Sequence, residues 1–206
     1  MKRASGARFL VLEGPDGSGK TTQAGLLVSW LAQRGLEALH VRDPGGTRIG
    51  EKIRRIVLDP EHTELARRTE TLLFMASRSQ LIAETIAPAL AEGRVVVCER
   101  WLPSTVCYQG YAGDLDPEEI WRLGEAASRT ARPDLTLIID VAPSVGLFRI
   151  GDEPDLLESR SSAYHERVRQ GYLEIAKEGR MNSRLIPAGT IEEIAERIRG
   201  AVDDVL

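Results

Sequence analysis

The segment Gly14-Pro15-Asp16-Gly17-Ser18-Gly19-Lys20-Thr21 constrains this chain more than any other. It fits the pattern G-x-x-x-x-G-K-[ST], and it lies between an apolar run of strand length, Phe9 to Glu13, and a helically patterned stretch, Thr21 to Arg34. Glycines let backbone N–H groups turn inward around an anion, and the helix N-terminus adds its partial positive charge at the same point. In such a loop Lys20 reaches the β- and γ-phosphates of a nucleotide and Thr21 offers its hydroxyl to Mg²⁺, while Gly14 through Thr22 form the cradle. No Asn-Lys-x-Asp segment of the kind that reads guanine occurs, which favours ATP.

The remainder of the 206 residues repeats the strand-then-helix rhythm that a parallel sheet with helices on both faces requires. Strands are expected at Ala38–Val41, Val95–Cys98, Leu135–Val141 and Arg184–Pro187, in addition to the first. Helices are expected at Gly50–Leu58, Glu70–Ala91, Pro117–Thr130, Ser144–Ile150, Ala163–Lys177 and Ile191–Val205, with Pro88 kinking the last turn of the second of these. The expected fold is a three-layer α/β phosphate-loop NTPase domain with about five parallel strands, spanning 1–206 as one unit. The polar stretch 151–162, which carries Pro154, breaks the rhythm and reads as a mobile lid.

Composition bears on partners. A net charge of −4 provides no general attraction for nucleic acid or an anionic membrane, so phosphate must be captured locally. The apolar run after the basic start is too short for a signal peptide or a membrane span, so the expected location is cytoplasmic. Cys98 and Cys107 lack zinc-site spacing and read as packing residues.

Four further segments suggest an acceptor site. Arg42-Asp43-Pro44-Gly45-Gly46-Thr47 follows the second strand, at the carboxyl edge where parallel sheets bind ligands. Phe74 and Arg78 stand at i and i+4 on one helix face, where a ring can stack on a planar base and a guanidinium can hydrogen-bond it. Val95 to Arg100 is a buried strand ending in a carboxylate, Glu99, able to hold Mg²⁺ or its waters, and a cation, Arg100, able to clamp an acceptor phosphate. Ser104 to Gly110 offers hydroxyl and amide groups for a base edge and a sugar. In isolation these segments also have plain structural readings: a turn, a core Phe beside a surface Arg, and an ion pair at a strand end.

In this order and spacing the segments resemble bacterial thymidylate kinases over almost the whole chain, including Arg132-Pro133-Asp134-Leu135-Thr136. The resemblance implies that Phe74 stacks on thymine and Arg78 donates to its carbonyl oxygen, with Thr105 and Gln109 at the base edge. It further implies that Arg54 and Arg100 grip the dTMP phosphate, that Asp16 and Tyr108 flank the deoxyribose, and that the protein is a Mg²⁺-dependent homodimer. The implied reaction is phosphoryl transfer from ATP to dTMP, for dTTP synthesis. A kinase for another nucleoside or nucleoside monophosphate, and a nucleotide-binding paralogue with weak turnover, are the alternatives.

Departures from the family pattern cluster around the chemistry. Asp43 and Glu99 replace a Glu and an Asp, each moving a carboxylate by one methylene. The lid reads Asp155-Leu156-Leu157-Glu158 where the family has an Asp-Arg-x-Glu-like segment, and the phosphate loop has Gly17 where some relatives place an arginine. Arg149 and Arg160 are the nearby cations that could substitute. Past Gly110 the family often has an arginine, and this chain has Ala112-Gly113-Asp114.

Overall fold

A computed structural model of the protein describes residues 3–128, 131–150 and 155–206. The strands are β1 (Arg8–Glu13), β2 (Ala38–Arg42), β3 (Val95–Glu99), β4 (Leu135–Ile139) and β5 (Ser183–Ile186). The helices are α1 (Lys20–Gln33), α2 (Arg48–Leu58), α3 (Arg67–Leu81), α4 (Ala87–Ala91), α5 (Leu102–Thr105), α6 (Pro117–Ala127), α7 (Pro143–Ile150), α8 (Ser162–Glu178) and α9 (Ile191–Asp203).

All strand pairs are parallel, in the order β2-β3-β1-β4-β5, so the strand that feeds the phosphate loop is central. Side chains alternate across the sheet with period two and so divide into two cores. Leu10 and Leu12 pack with Leu27 and Leu31 of α1 and Ile194 and Ile198 of α9. Phe9 and Val11 pack on the opposite face with Leu81 of α3 and Val168 and Tyr172 of α8. This is the expected three-layer arrangement.

Several boundaries differ from the sequence expectation for local reasons. Helix α2 begins at Arg48 rather than Gly50, because the Thr47 hydroxyl accepts from Gly50 N at 2.9 Å and caps the helix two residues earlier. The expected single helix from Glu70 to Ala91 starts at Arg67 and is interrupted. A π-turn at Ile82–Ile86 separates α3 from α4, and Ala87 N reaches back to Ile82 O. Pro88 lacks an N–H and its ring crowds the carbonyl four residues before it, so the disturbance sits in the turn preceding the proline rather than in the last turn. The segment from Ser104 to Gly110, for which no helix was expected, forms the end of α5 and a π-helical continuation at Val106–Tyr111. Strand β4 stops at Ile139, two residues short of Val141. Cys98 and Cys107 are both buried and free, as packing residues.

Of the lid expectation, residues 151–154 lie outside the described residues. In the described part Leu156 is 6% and Leu157 7% exposed, and Leu156 N donates to Leu58 O of α2 at 3.1 Å. Leu157 joins the hydrophobic core on the α3 and α8 side of the sheet, and the backbone at Leu156 is tied to the end of α2.

Candidate functional site

The phosphate loop leaves β1 and enters α1 through Gly19, whose φ of 89° lies in the left-handed region that favours glycine. Gly17 meets Gly146 of α7 backbone to backbone, and a Cβ on Gly17 would overlap the Gly146 carbonyl oxygen. Helix α7 is thereby seated on the loop, and Arg149 from its last turn donates to Gly17 O at 3.0 Å. Arg160 lies elsewhere, its guanidinium over the ring of Tyr164 at 5.9 Å. Only Arg149 of the two lid cations meets the loop among the described residues.

Lys20 is buried and folds back over the loop, donating to Pro15 O at 2.7 Å, Gly14 O at 3.0 Å and Ser18 Oγ at 3.1 Å. Burial and the nearby Arg100 draw its pKa from 10.5 down to about 7, against the opposing pull of Asp16 and Glu13. Thr21, in the first turn of α1, donates from Oγ1 to Glu99 Oε2 at 2.6 Å, while His40 Nε2 lies 2.8 Å from Glu99 Oε1. Burial alone would raise the Glu99 pKa, but the His40 and Thr21 hydrogen bonds and the Lys20 charge hold it below the ordinary value. Among the described residues no three His, Cys, Asp or Glu side chains gather as a metal cage. A hydroxyl and a carboxylate at a phosphate loop suit instead a hard divalent cation that keeps water and phosphate ligands.

On the other side of the loop lies a cleft of about 120 Å³ that opens to solvent. Phe74 and Arg78 of α3 share it, as their spacing predicted. Arg78 is 1% exposed. Its Nε donates to Asp43 Oδ2 at 2.6 Å and its Nη2 to Thr105 Oγ1 at 2.9 Å, and the guanidinium lies over the Trp101 ring at 5.3 Å. Burial raises the Asp43 pKa despite the Arg78 charge and hydrogen bond. Gln109 also lines the cleft, with its amide nitrogen donating to Glu70 Oε1 at 2.7 Å. Arg54 of α2 enters from the rim and donates to Pro44 O at 3.0 Å.

Between cleft and loop stands Arg100. Its Nη2 pairs with Asp16 Oδ1, and Tyr108 OH donates to Asp16 Oδ2 at 2.5 Å. Burial opposes the Arg100 charge, but Tyr108, Asp16, Tyr172 and Glu13 outweigh it and hold the proton more firmly than in an ordinary arginine. Burial likewise works against the Asp16 anion, and Arg100 and Lys20 reverse the effect, so its pKa is lowered. The arrangement sets the cations Lys20, Arg100 and Arg54 between the phosphate loop and a cleft whose walls combine apolar side chains, among them Phe74 and Leu157, with Gln109 and several carboxylates. It can hold two phosphate-bearing molecules with their phosphates facing.

Comparison with family descriptions matches residues 12–198 to the family described as thymidylate kinase. The chain belongs to the thymidylate kinase family. A thymidylate kinase of Symbiobacterium thermophilum is 42% identical over 200 residues, covering 96% of this chain and 94% of that protein. One from Roseiflexus castenholzii is 41% identical over 214 residues, covering 96% and 93%. The crystal structure of thymidylate kinase from Ehrlichia chaffeensis superposes with a TM-score of 0.78 at 29% identity, covering 96% of this chain and 99% of that one.

Sequence reasoning missed some residues that this thymidylate kinase family member brings to the site. Asp155 and Glu158 of the lid line the cleft, and burial raises the pKa of both. His40 reaches Glu99 because β2 and β3 are neighbours in register. Glu13 lies beneath Arg100 with no exposed surface. Its only sequence signal is a carboxylate ending a buried strand. Ser18 is a buried loop residue, while Thr22 is exposed on α1.

Proposed function

We propose that this chain, acting as a single domain, transfers the γ-phosphate of ATP to dTMP, giving ADP and dTDP for dTTP synthesis. The observation that carries the proposal is the placement of a base-sized cleft, walled by Phe74, Arg78 and Thr105, directly beside Arg100 and the phosphate loop of a thymidylate kinase family chain. Phe74 stacks on thymine, Arg78 and Thr105 read its edge with Gln109, and Asp16 and Tyr108 border the deoxyribose. Arg54 and Arg100 hold the dTMP phosphate in line with ATP, whose phosphates Lys20 and the loop cradle. Thr21 and Glu99, the latter through water, would hold Mg²⁺ with the ATP phosphates. Bound there, the cation would neutralise charge on the β- and γ-phosphates.

Phosphoryl transfer needs little covalent help from the protein, so catalysis is positioning plus charge neutralisation. Arg149, already at the loop, supplies the cation that Leu156 does not. The reaction is cytoplasmic and the working form is a homodimer, supported by exposed Ile49, Ile56 and Leu72 on the packed pair α2 and α3. Among the described residues no helix is long and apolar enough to cross a membrane.

The test is ADP release with Mg-ATP across a panel of nucleoside monophosphates. Turnover with dTMP well above the other acceptors is the expected result. Preference for another monophosphate would overturn the assignment of the base site, and nucleotide binding without turnover would overturn the assignment as a kinase.

A further inference from the structure

Arg100 carries out its part from an unusual backbone. It sits at φ 64°, in a left-handed region that a residue with a long side chain rarely adopts, at the turn between β3 and α5. Such a conformation persists only where its surroundings enforce it. Glu13, the last residue of β1, is wholly buried beneath that turn. Its Oε1 accepts from Trp101 N at 2.8 Å and Ser104 N at 3.1 Å. Its Oε2 accepts from Ser104 Oγ at 2.6 Å and from the Tyr172 hydroxyl of α8 at 3.0 Å.

We propose that Glu13 is a positioning residue for acceptor binding, which locks the Arg100 turn and orients the hydroxyls that the Arg100 guanidinium contacts. The backbone half of the effect is direct, since Trp101 N is the next amide after the strained residue and Ser104 N lies in the short helix α5 that follows. The side-chain half follows from counting protons. Ser104 Oγ and Tyr172 OH each own one proton, both lie within hydrogen-bond reach of Glu13 Oε2, and they stand 2.8 Å from each other, so Glu13 accepts at least one of the two protons. Their lone pairs are then left for Arg100 Nη1, which lies 3.2 Å from Ser104 Oγ and 3.5 Å from Tyr172 OH. An amide in place of the carboxylate breaks this whichever way it turns. Its NH₂ either confronts the two backbone N–H donors or faces the two hydroxyls, which can hand one proton between them but then lack a carboxylate oxygen for the other. The inference deepens the proposed function, because it rests on Arg100 as the acceptor-phosphate ligand.

The experiment compares Glu13→Gln, Ser104→Ala and Tyr172→Phe with the wild type, using calorimetric binding of dTMP and of ATP, thermal midpoints and steady-state constants. Glu13→Gln is expected to weaken dTMP binding at least tenfold and raise its KM in step, with ATP binding within twofold. Tyr172→Phe and Ser104→Ala are expected to move the same constants in the same direction by less. A folded Glu13→Gln with dTMP binding within twofold of wild type overturns the inference. So does a parallel loss of dTMP and ATP binding that tracks the fall in thermal midpoint, which marks a merely structural carboxylate. Should Glu13→Gln fail to fold, the selective loss of dTMP in Tyr172→Phe decides, and its absence overturns the inference. If the wild type prefers another monophosphate, the functional reading fails at the base while the same comparison is read on that acceptor. A wild type that binds no monophosphate overturns both.

Discussion

Arg78 is a fixed positive charge with 1% of its surface exposed, and Asp43 is what makes this tolerable. Removing one member of a buried ion pair leaves the other uncompensated, at a cost of about 3–5 kcal/mol. Arg78→Ala would therefore confuse recognition with stability. Arg78→Lys retains the charge opposite Asp43 but loses the planar fork that spans Asp43 and Thr105. A charged hydrogen bond to substrate is worth about 1.5–3 kcal/mol, so the KM for dTMP should rise roughly 10- to 100-fold while that for ATP stays within about twofold. Equal changes in the two constants would place Arg78 outside the acceptor site. Arg149 makes the complementary case. If its charge acts on the transferring phosphoryl group, Arg149→Ala should lower kcat at least tenfold with both Michaelis constants little changed, since a transition-state interaction appears in kcat. Arg160→Ala, which alters a side chain packed over Tyr164, should leave kcat within about twofold. Reversal of these two results in steady-state kinetics would exchange the roles of the two lid arginines. At this scale the sequence was informative where partners are close. Phe74 and Arg78 are recognisable four residues apart, whereas the pairing of Arg78 with Asp43 joins residues 35 apart and has no local signature.

Among the elements, the lid changed most between expectation and structure. Read as a polar loop, it has one conspicuous deficiency, leucine where the family carries arginine. Folded, Leu156 and its neighbour are buried, and the backbone at Leu156 ties the loop to the end of α2. Leu156→Arg should therefore not accelerate the enzyme. It should forfeit about 1.5–3 kcal/mol of apolar burial and lower the thermal midpoint by roughly 3–10 °C, with no gain in kcat. A rise in turnover at unchanged midpoint, read by calorimetry and kinetics together, would show that the lid opens to place residue 156 over the phosphates. The other element-scale difference, the π-turn before Pro88, follows from the missing N–H of proline, and the sequence marked the residue correctly though not the turn that absorbs it.

For the molecule as a whole, the exposed apolar side chains of α2 and α3 support association. Light scattering should find two chains per particle, and Leu72→Glu, at a position 50% exposed, should yield single chains with little change in thermal midpoint. A wild type that is monomeric at micromolar concentration would remove the dimer from the account. The sequence by itself determined what contiguous residues determine. The phosphate loop is complete within eight residues, and the two-residue and four-residue periodicities identify buried faces and thus the α/β layering. Periodicity states that a face is buried but not what covers it. The order β2-β3-β1-β4-β5, the seat of the lid leucines, and the union of Glu13 with Tyr172 across 159 residues were decided only in three dimensions. Strand order determines which carboxylate meets which cation, and that choice is made by the packing of the whole sheet rather than by any stretch of chain.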